Sequence, residues 1–364
     1  MSQLQVNRIN DASGGVLAPI SSVMRNRIIN GAMVIDQRNA GASVTPLTAP
    51  IFTLDRWKCT QTQASKYSVQ QDAGAVTPPA GFTDYAGITS LSAYSVLTTD
   101  TFNFRQPIEG FNTADLGWGA AGAATVTLSF WVRSSLTGTF SGTLNNAAFD
   151  RSYPFTYTIS AANTWEQKSI TIAGDTTGTW NKTNDAGIVL NFSLGQGSVY
   201  TGTAGAWAAG TLLGATGATN IVSTNGATWY VTGVQLERGT QATSFEYRQY
   251  GTELSLCQRY YQQCGNGFTG SFDGSTTVTI AIMEKFNQTM RAAPTIATIS
   301  GRNCQFRAVG NDFNNGAPGL ANAGSTNEGL WTQVTGFTGG TANTVVYARN
   351  NSANNLFIGA SAEL

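Results

Sequence analysis

A chain of 364 residues exceeds what one small hydrophobic core serves, so two domains are expected. Charged residues make up only 11%, and 20 basic against 20 acidic residues leave no net charge, so nothing resembles the basic patch that a nucleic-acid binder needs for phosphates and no nucleic-acid partner is expected. Histidine is absent, which removes histidine triads, most catalytic zinc sites and the usual general base near neutral pH.

Residues 1–28 carry little periodic hydrophobicity and many turn residues, among them Asn10-Asp11 and Ser13-Gly14-Gly15. Such a segment buries little by itself; it is either a disordered tail or an arm that orders against a partner. The opening residues lack the apolar core of a secretory signal, and no apolar run in the chain is long enough to span a bilayer. Synthesis in a cytoplasm, without membrane insertion, is therefore expected.

From Arg27 the pattern becomes compact. Segments at 67–69, 87–91 and 102–106 read as short strands. Within 125–133 the alternation is strict: Val126, Leu128, Phe130 and Val132 take one face, and Thr127, Ser129, Trp131 and Arg133 the other. A period of two marks a strand with one buried face. Further strands are expected at 155–159, 166–172, 188–194 and 229–236, and Ile188, Leu190, Phe192 and Leu194 repeat the same alternation. The two apolar rows are expected to pack against each other. About ten strands without a convincing helix point to a two-sheet jelly-roll sandwich over 29–250.

Residues 195–226 are rich in Gly, Ala and Thr and too long for an ordinary hairpin connection. A functional or subunit-contact loop displaying Tyr200 and Trp207 is expected there. The pattern then changes: Leu254, Cys257 and Tyr261 recur at helical spacing behind Glu253, predicting one helix over 252–262 within a connector at 251–264. A second, smaller β domain follows over 265–364, with a hairpin signal at Asp273-Gly274 and strands near 303–309, 329–335, 344–347 and 356–358. The predicted fold is thus all-β: a jelly-roll sandwich, a short helix and a smaller β domain.

Chemistry is sparse. Asp150, Asp175, Asp185, Glu237, Glu246 and Asp273 are scattered at turns and strand ends, with no pairing of the kind glycoside hydrolysis needs. No Gly-rich loop carries the Lys and Ser or Thr of a phosphate cradle. Cys59, Cys257, Cys264 and Cys304 form neither a CxxC pair nor a cluster, and read as buried thiols in a reducing compartment. No spacing argues for a metal, a structural calcium included. No catalytic residue and no cofactor is predicted.

Aromatic residues are the better lead, since sugars offer an apolar face for stacking and a rim of hydroxyls for amides and carboxylates. Trp131 lies opposite the apolar row of its strand and is a candidate ligand residue with Arg133, Asn191 and Gln235. Trp180 and Trp207 sit in turn-rich sequence and are candidates by exposure, with a subunit contact as the competing role. Trp165, at the start of a strand, reads as core.

Several stretches resemble the same known proteins. Arg27-Ile28-Ile29-Asn30-Gly31-Ala32-Met33 followed by Asp36-Gln37-Arg38 is similar to the opening of many bacteriophage tail-fibre and virion proteins. The resemblance continues at LDRWK (54–58), LSFWVRSSLTGT (128–139), NTWEQKSITIAGDTTGTW (163–180), VTGVQLERGTQATSFEYR (231–248), ELSLCQRYY (253–261) and Met290-Arg291-Ala292-Ala293-Pro294-Thr295. It spans about 25–300 and implies a jelly-roll domain like those of carbohydrate-binding modules. It further implies a non-enzymatic virion protein of the tail, trimeric, assembled in the host cytoplasm. Residues 1–28 would attach it to other tail or virion proteins, and it would touch a host surface polysaccharide. A purely architectural virion component is the competing expectation.

Overall fold

The computed structural model describes residues 25–264 without interruption, together with 8–10, 16–19, 269–271, 278–299, 304–308, 311–315, 319–337, 345–348 and 358–364. The chain divides into two compact units, Met1–Gln249 and Tyr250–Leu364.

In the first unit β1 (Arg8–Asn10) and β2 (Val16–Pro19) form an antiparallel hairpin. Then come β3 (Ile51–Phe52), β4 (Lys58–Gln61), β5 (Tyr67–Gln71), β6 (Ala86–Ser90) and β7 (Thr101–Glu109). The long strands are β8 (Val126–Ser134), β9 (Gly138–Asn146), β10 (Arg151–Ile159), β11 (Glu166–Ile172) and β12 (Ala186–Gln196). Three two-residue strands follow, β13 (Thr201–Gly202), β14 (Ala208–Ala209) and β15 (Gly214–Ala215), and β16 (Thr228–Arg238) closes the unit.

Two sheets carry the architecture. One has seven strands in the order β14-β10-β9-β12-β7-β4-β3, the other five in the order β11-β8-β16-β6-β5. After β4 the chain crosses to the five-stranded sheet for β5 and β6 and returns for β7. It crosses for β8, returns for β9 and β10, crosses for β11, returns for β12 and ends on β16. Such repeated crossing between antiparallel sheets makes a jelly-roll sandwich, as the alternation predicted.

The core follows from that alternation. Val126, Leu128, Phe130 and Val132 on β8 are wholly buried, as are Leu190, Phe192 and Leu194 on β12. The two rows meet where the rings of Phe130 and Phe192 lie 5.1 Å apart. Around them Trp229 approaches Phe192 at 5.3 Å, Trp57 stacks on Phe104 at 4.8 Å, and the Trp229 indole N–H donates to the Tyr157 hydroxyl at 3.0 Å. Large apolar side chains buried from both faces each stabilise the sandwich by roughly 1.5–3 kcal/mol before entropy.

One irregularity shapes the five-stranded sheet. Across β16 and β8, Thr232 opposes Trp131 and Gln235 opposes Ser129, so Gly233 and Val234 together face a single residue. Gly233 sits at φ +62°, which a side chain adopts only with strain. The bulge switches the inward parity of β16. Trp229 and Val231 point inward before it, and Val234 and Leu236 after it, all fully buried.

The segment after Arg25 wedges against this bulge. Val234 N–H donates to Gly31 O, Arg27 N–H to Leu236 O and the Asn26 amide to Val234 O. A Cβ on Gly31 would fall 2.2 Å from Val234 O, so only glycine fits there. The Trp57 indole donates to Asn30 O at 3.0 Å, and Arg248 donates to Ile28 O at 3.1 Å and to Asn26 O. Three of the stretches that carry the sequence resemblance, 27–33, 54–58 and 231–248, are therefore one hydrogen-bonded corner.

In the second unit α1 (Tyr250–Gln258) leads into β17 (Tyr261–Cys264). The strands that follow are β18 (Thr269–Ser271), β19 (Val278–Lys285), β20 (Thr295–Thr298), β21 (Cys304–Ala308) and β22 (Asn311–Asn315). They continue with β23 (Gly319–Ser325), β24 (Gly329–Phe337), β25 (Val345–Ala348) and β26 (Ile358–Ser361). They form sheets β17-β26-β20, β18-β25-β21-β22 and β19-β24-β23, so this unit too is built of strands. The expected helix over 252–262 is shorter at its end. It stops at Gln258, Tyr260 N–H closes a turn on Cys257 O, and Tyr261–Cys264 pairs with Ile358–Ser361. Tyr261 satisfied the helical spacing because it is buried, but its partner is a strand almost a hundred residues downstream. The Asp273-Gly274 hairpin lies outside the described residues.

Candidate functional site

Trp131, Ser129 and Gly233 contribute to a cleft of about 260 Å³ on the outer face of the five-stranded sheet. Its other walls are Phe82, Gln167, Thr243, Ser244, Phe245 and Tyr247. A second cleft of about 370 Å³ adjoins it, lined by Gln167, Lys168, Ser169, Ala242, Thr243 and Ser244. Gln167, Thr243 and Ser244 belong to both, so the two form one groove.

The bulge makes the apolar end. A Cβ on Gly233 would lie 2.6 Å from Phe82 and 3.2 Å from Trp131, so the bare backbone lets both rings close over it. Phe82, Phe245 and Tyr247 form a triangle with centroids 5.0–5.5 Å apart, a spacing at which aromatic rings attract one another. Phe82, Trp131 and Phe245 are half-buried, and Tyr247 is 59% exposed. Burial raises the Tyr247 phenol above its ordinary value, so it stays protonated at neutral pH and keeps its O–H donor.

The wall formed by 240–248 is held from behind. Glu237, 2% exposed, accepts from Thr243 N at 2.8 Å, from Thr243 Oγ1 at 2.7 Å and from Gln235 Nε2 at 2.9 Å. Gln235 Oε1 accepts from Glu246 N at 2.8 Å, and the Glu246 carboxylate accepts from Arg25 N and Asn26 N at 3.1 and 2.8 Å. These bonds tie the wall to β16 and to the segment entering the sandwich.

Beyond the aromatic end the groove is polar and nearly uncharged. Lys168 pairs with Glu166 at 2.6 Å. The Lys168 ammonium, helped by the amides of Ala161 and Ser160 against the opposing effect of burial, holds the Glu166 carboxyl below its usual range. The side chains of Gln167, Ser169 and Ser244, all at exposed positions, make no hydrogen bond among the described residues, so their donors and acceptors are open to a ligand, whereas Ser129 is 5% exposed at the floor. Thr243 gives its hydroxyl proton to Glu237 at 2.7 Å and accepts from Gln235 Nε2 at 3.4 Å, with one lone pair left for an incoming donor.

The six residues singled out from sequence scatter. Trp131 alone lines the groove. Arg133 is two residues along the same face, but its guanidinium lies 5.4 Å over the Tyr230 ring and its Nε donates to Asn163 O at 3.0 Å. Gln235 is fully buried and positions the wall. Asn191 is on the other sheet, fully buried, with its amide donating to Leu213 O at 2.8 Å. Period-two parity places a residue on a face but does not say which sheet it belongs to.

Trp180 and Trp207 are neither exposed rings nor a platform. With Trp118 they make an edge-to-face triad at 4.7–5.3 Å, and Tyr153 adds a fourth ring 5.3 Å from Trp207. All three indole N–H groups are spent inside the chain, on Ala124 O, Thr177 O and Ala173 O. Trp180 is 8% exposed, which corrects the exposure expected from its turn-rich surroundings. The 195–226 stretch lies along the outer face of the seven-stranded sheet: Asn145 donates to Leu212 O at 2.9 Å and Ser152 Oγ to Gly210 O at 2.6 Å. Trp165 is half-buried, its ring 5.6 Å from Tyr85.

Sequence reasoning missed Phe82, Phe245, Tyr247 and Gln167. A signal existed for two of them, since Phe245-Glu246-Tyr247-Arg248 alternates aromatic with charged residues. Gly233 inside a strand also marked a bulge. Among the described residues no three metal-ligating side chains converge, and no helix is long and apolar enough to cross a membrane.

No family model and no curated protein matches the sequence. Solved structures do match. The enzymatically active domain of tailspike protein 4 from bacteriophage CBA120 aligns over 59% of this chain at 13% identity and a TM-score of 0.33. The alignment takes in 22% of that domain, so the chain spans about a fifth of its length. A family 4 carbohydrate-binding module aligns over 58% of this chain and 98% of its own at 18% identity and a TM-score of 0.29. A family 61 module solved with β-1,4-galactotriose aligns over 59% and 99% at 10% identity and a TM-score of 0.30.

Proposed function

We propose that this protein is a non-catalytic component of a bacteriophage tail whose sandwich binds a bacterial surface glycan in the Trp131 groove. The observation that carries the reading is the groove itself, in which four aromatic rings stand at one end and uncommitted hydroxyl and amide groups at the other. A pyranose offers a matching apolar face and hydroxyl rim. The virion assignment rests on the sequence resemblance. The motifs 27–33, 54–58 and 231–248 support it jointly, because they build the corner that holds the groove's wall.

The absence of catalysis is part of the proposal. Hydrolysis of a glycosidic bond needs two carboxyl groups flanking it. No carboxylate lines the groove; Glu166 is paired with Lys168, and Glu237 lies under Thr243. In this reading residues 1–28 attach the chain to neighbouring tail proteins, the assembly is a trimer put together in the host cytoplasm, and the working location is the virion.

A glycan array probed with the full chain and with Trp131→Ala tests the proposal. Binding to bacterial polysaccharides that the variant loses is expected, together with inhibition of phage adsorption by the purified wild-type protein. No glycan signal and no effect on adsorption would overturn it. The architectural alternative is distinguished by burial of Trp180 and Trp207 between chains in a map of the assembled particle; within one chain these rings pack against Trp118 and Tyr153.

A further inference from the structure

The ligand's chemistry is narrowed by what the two adjoining clefts have in common and by what separates them. At about 260 and 370 Å³ they straddle the volume, roughly 300 Å³, at which small-molecule sites begin. Each is thus suited to a single compact unit, and they join through Gln167, Thr243 and Ser244. Their linings differ. The first supplies aromatic faces; the second has none and is walled by amide, hydroxyl and the Lys168 stem.

Charge narrows it further. The one cation among the residues lining the two clefts, Lys168, is already matched by Glu166 at 2.6 Å. A second carboxylate, Glu237, sits directly behind Thr243 with its hydrogen bonds turned to the wall. With Arg25 donating to Ser244 O at 3.0 Å the carboxylates around the wall are offset, so an anionic ligand would meet balanced charge and no unpaired cation among the lining residues to compensate its desolvation. Thr243 gives its hydroxyl proton to Glu237 and already accepts from Gln235 Nε2 at 3.4 Å, which leaves one acceptor position for a hydroxyl donor.

Resting on the glycan reading above, we infer that the groove is a two-subsite site for an uncharged sugar chain. One unit stacks against Trp131 and the aromatic triangle, and the next is held by Gln167, Ser169 and Ser244. The ligand class is a neutral oligosaccharide of at least two units, not a uronic or sialic acid polymer. Stacking supplies affinity at the first subsite, while the second selects for length and against charge.

Neutral gluco-, galacto- and manno-oligosaccharides of one to four units, and oligogalacturonides of the same lengths, are titrated into the full chain. Ligand-observed NMR is used for the weak single units and calorimetry for the rest. In the series that binds, affinity is expected to rise about tenfold from one unit to two, the increment of one good net hydrogen bond, and then to level off. Ser169→Ala, at an exposed position that lines only the second cleft, should abolish the rise and leave single-unit binding unchanged. Trp131→Ala should weaken every length. Binding that does not depend on length, or that favours the galacturonides, would overturn the two-subsite neutral assignment while leaving a glycan groove standing. If no sugar of any length or charge binds, the glycan reading falls with it.

Discussion

Placing a methyl group at Gly233 tests how the groove is built. In Gly233→Ala the residue must hold φ +62°, which costs an L residue about 1–2 kcal/mol. Its Cβ would also stand 2.6 and 2.9 Å from two atoms of the Phe82 ring and 3.2 Å from Trp131. Phe82 cannot swing away cheaply, because Phe245 and Tyr247 pack on it at 5.1 and 5.5 Å. Overpacking of this kind costs about 1–3 kcal/mol, so the sandwich should lose about 2–5 kcal/mol in all. The clash is separable from the backbone strain. In a Phe82→Ala background the same substitution should cost only about 1–2 kcal/mol, leaving a coupling of about 1–3 kcal/mol between the two sites. Urea unfolding of the full chain followed by tryptophan fluorescence reads the sandwich directly, since seven of the eight tryptophans lie within residues 1–249. A cost below about 0.5 kcal/mol, or an equal cost in both backgrounds, would refute the view that bare backbone at 233 is what lets Phe82 and Trp131 close the groove.

Other outcomes follow from the same structure. Phe192→Ala removes the ring against which Phe130, Trp229 and Phe155 pack, and should cost about 3–5 kcal/mol in the same unfolding assay. Asp175 is 2% exposed and forms a two-point pair with Arg151 at 2.7 and 2.8 Å. Burial alone would raise its carboxyl, but the bonds from Arg151 and Thr177 prevail and hold it below the ordinary value. A depressed folded-state pKa gives stability that is fully present above the unfolded value, near 3.9, and is lost as pH falls through the folded one. Asp175→Asn should therefore cost about 2–4 kcal/mol at pH 7 and flatten the acid limb of the stability profile below about pH 4; an unchanged acid limb would count against the pair. Burial pushes the Cys59 thiol up to about 12, so the peptide containing Cys59 should resist a thiol reagent at pH 8 until the chain is unfolded. Rapid labelling of that peptide in the native protein, read by mass spectrometry, would contradict its burial.

Much of the architecture was legible in the residues themselves. Val126 to Val132 and Ile188 to Leu194 alternate so regularly that strand, buried face and mutual packing all follow, because a period of two leaves one surface to hide. Local patterning was also enough for the all-β class of both units. It was not enough to end α1, since Tyr261 is buried by a strand that begins at Ile358. Nor did it show that the 195–226 stretch lies on the face carrying Asn191.

The candidate site divides the same way. Sequence alone determined that Trp131 stands opposite the core row and that histidine chemistry is excluded, because these depend only on residue type and local parity. Tertiary structure decided what keeps Trp131 company. Phe82, Gln167, Phe245 and Tyr247 come from three separate stretches of chain, brought together by a two-residue bulge at Gly233 and by the buried carboxylate of Glu237. Gln235 and Asn191 share the polar look of ligand residues, yet one braces a wall and the other lies under a loop on the opposite sheet. Strand crossing between two sheets sets those neighbours, and the energy that selects it is spread over the whole core.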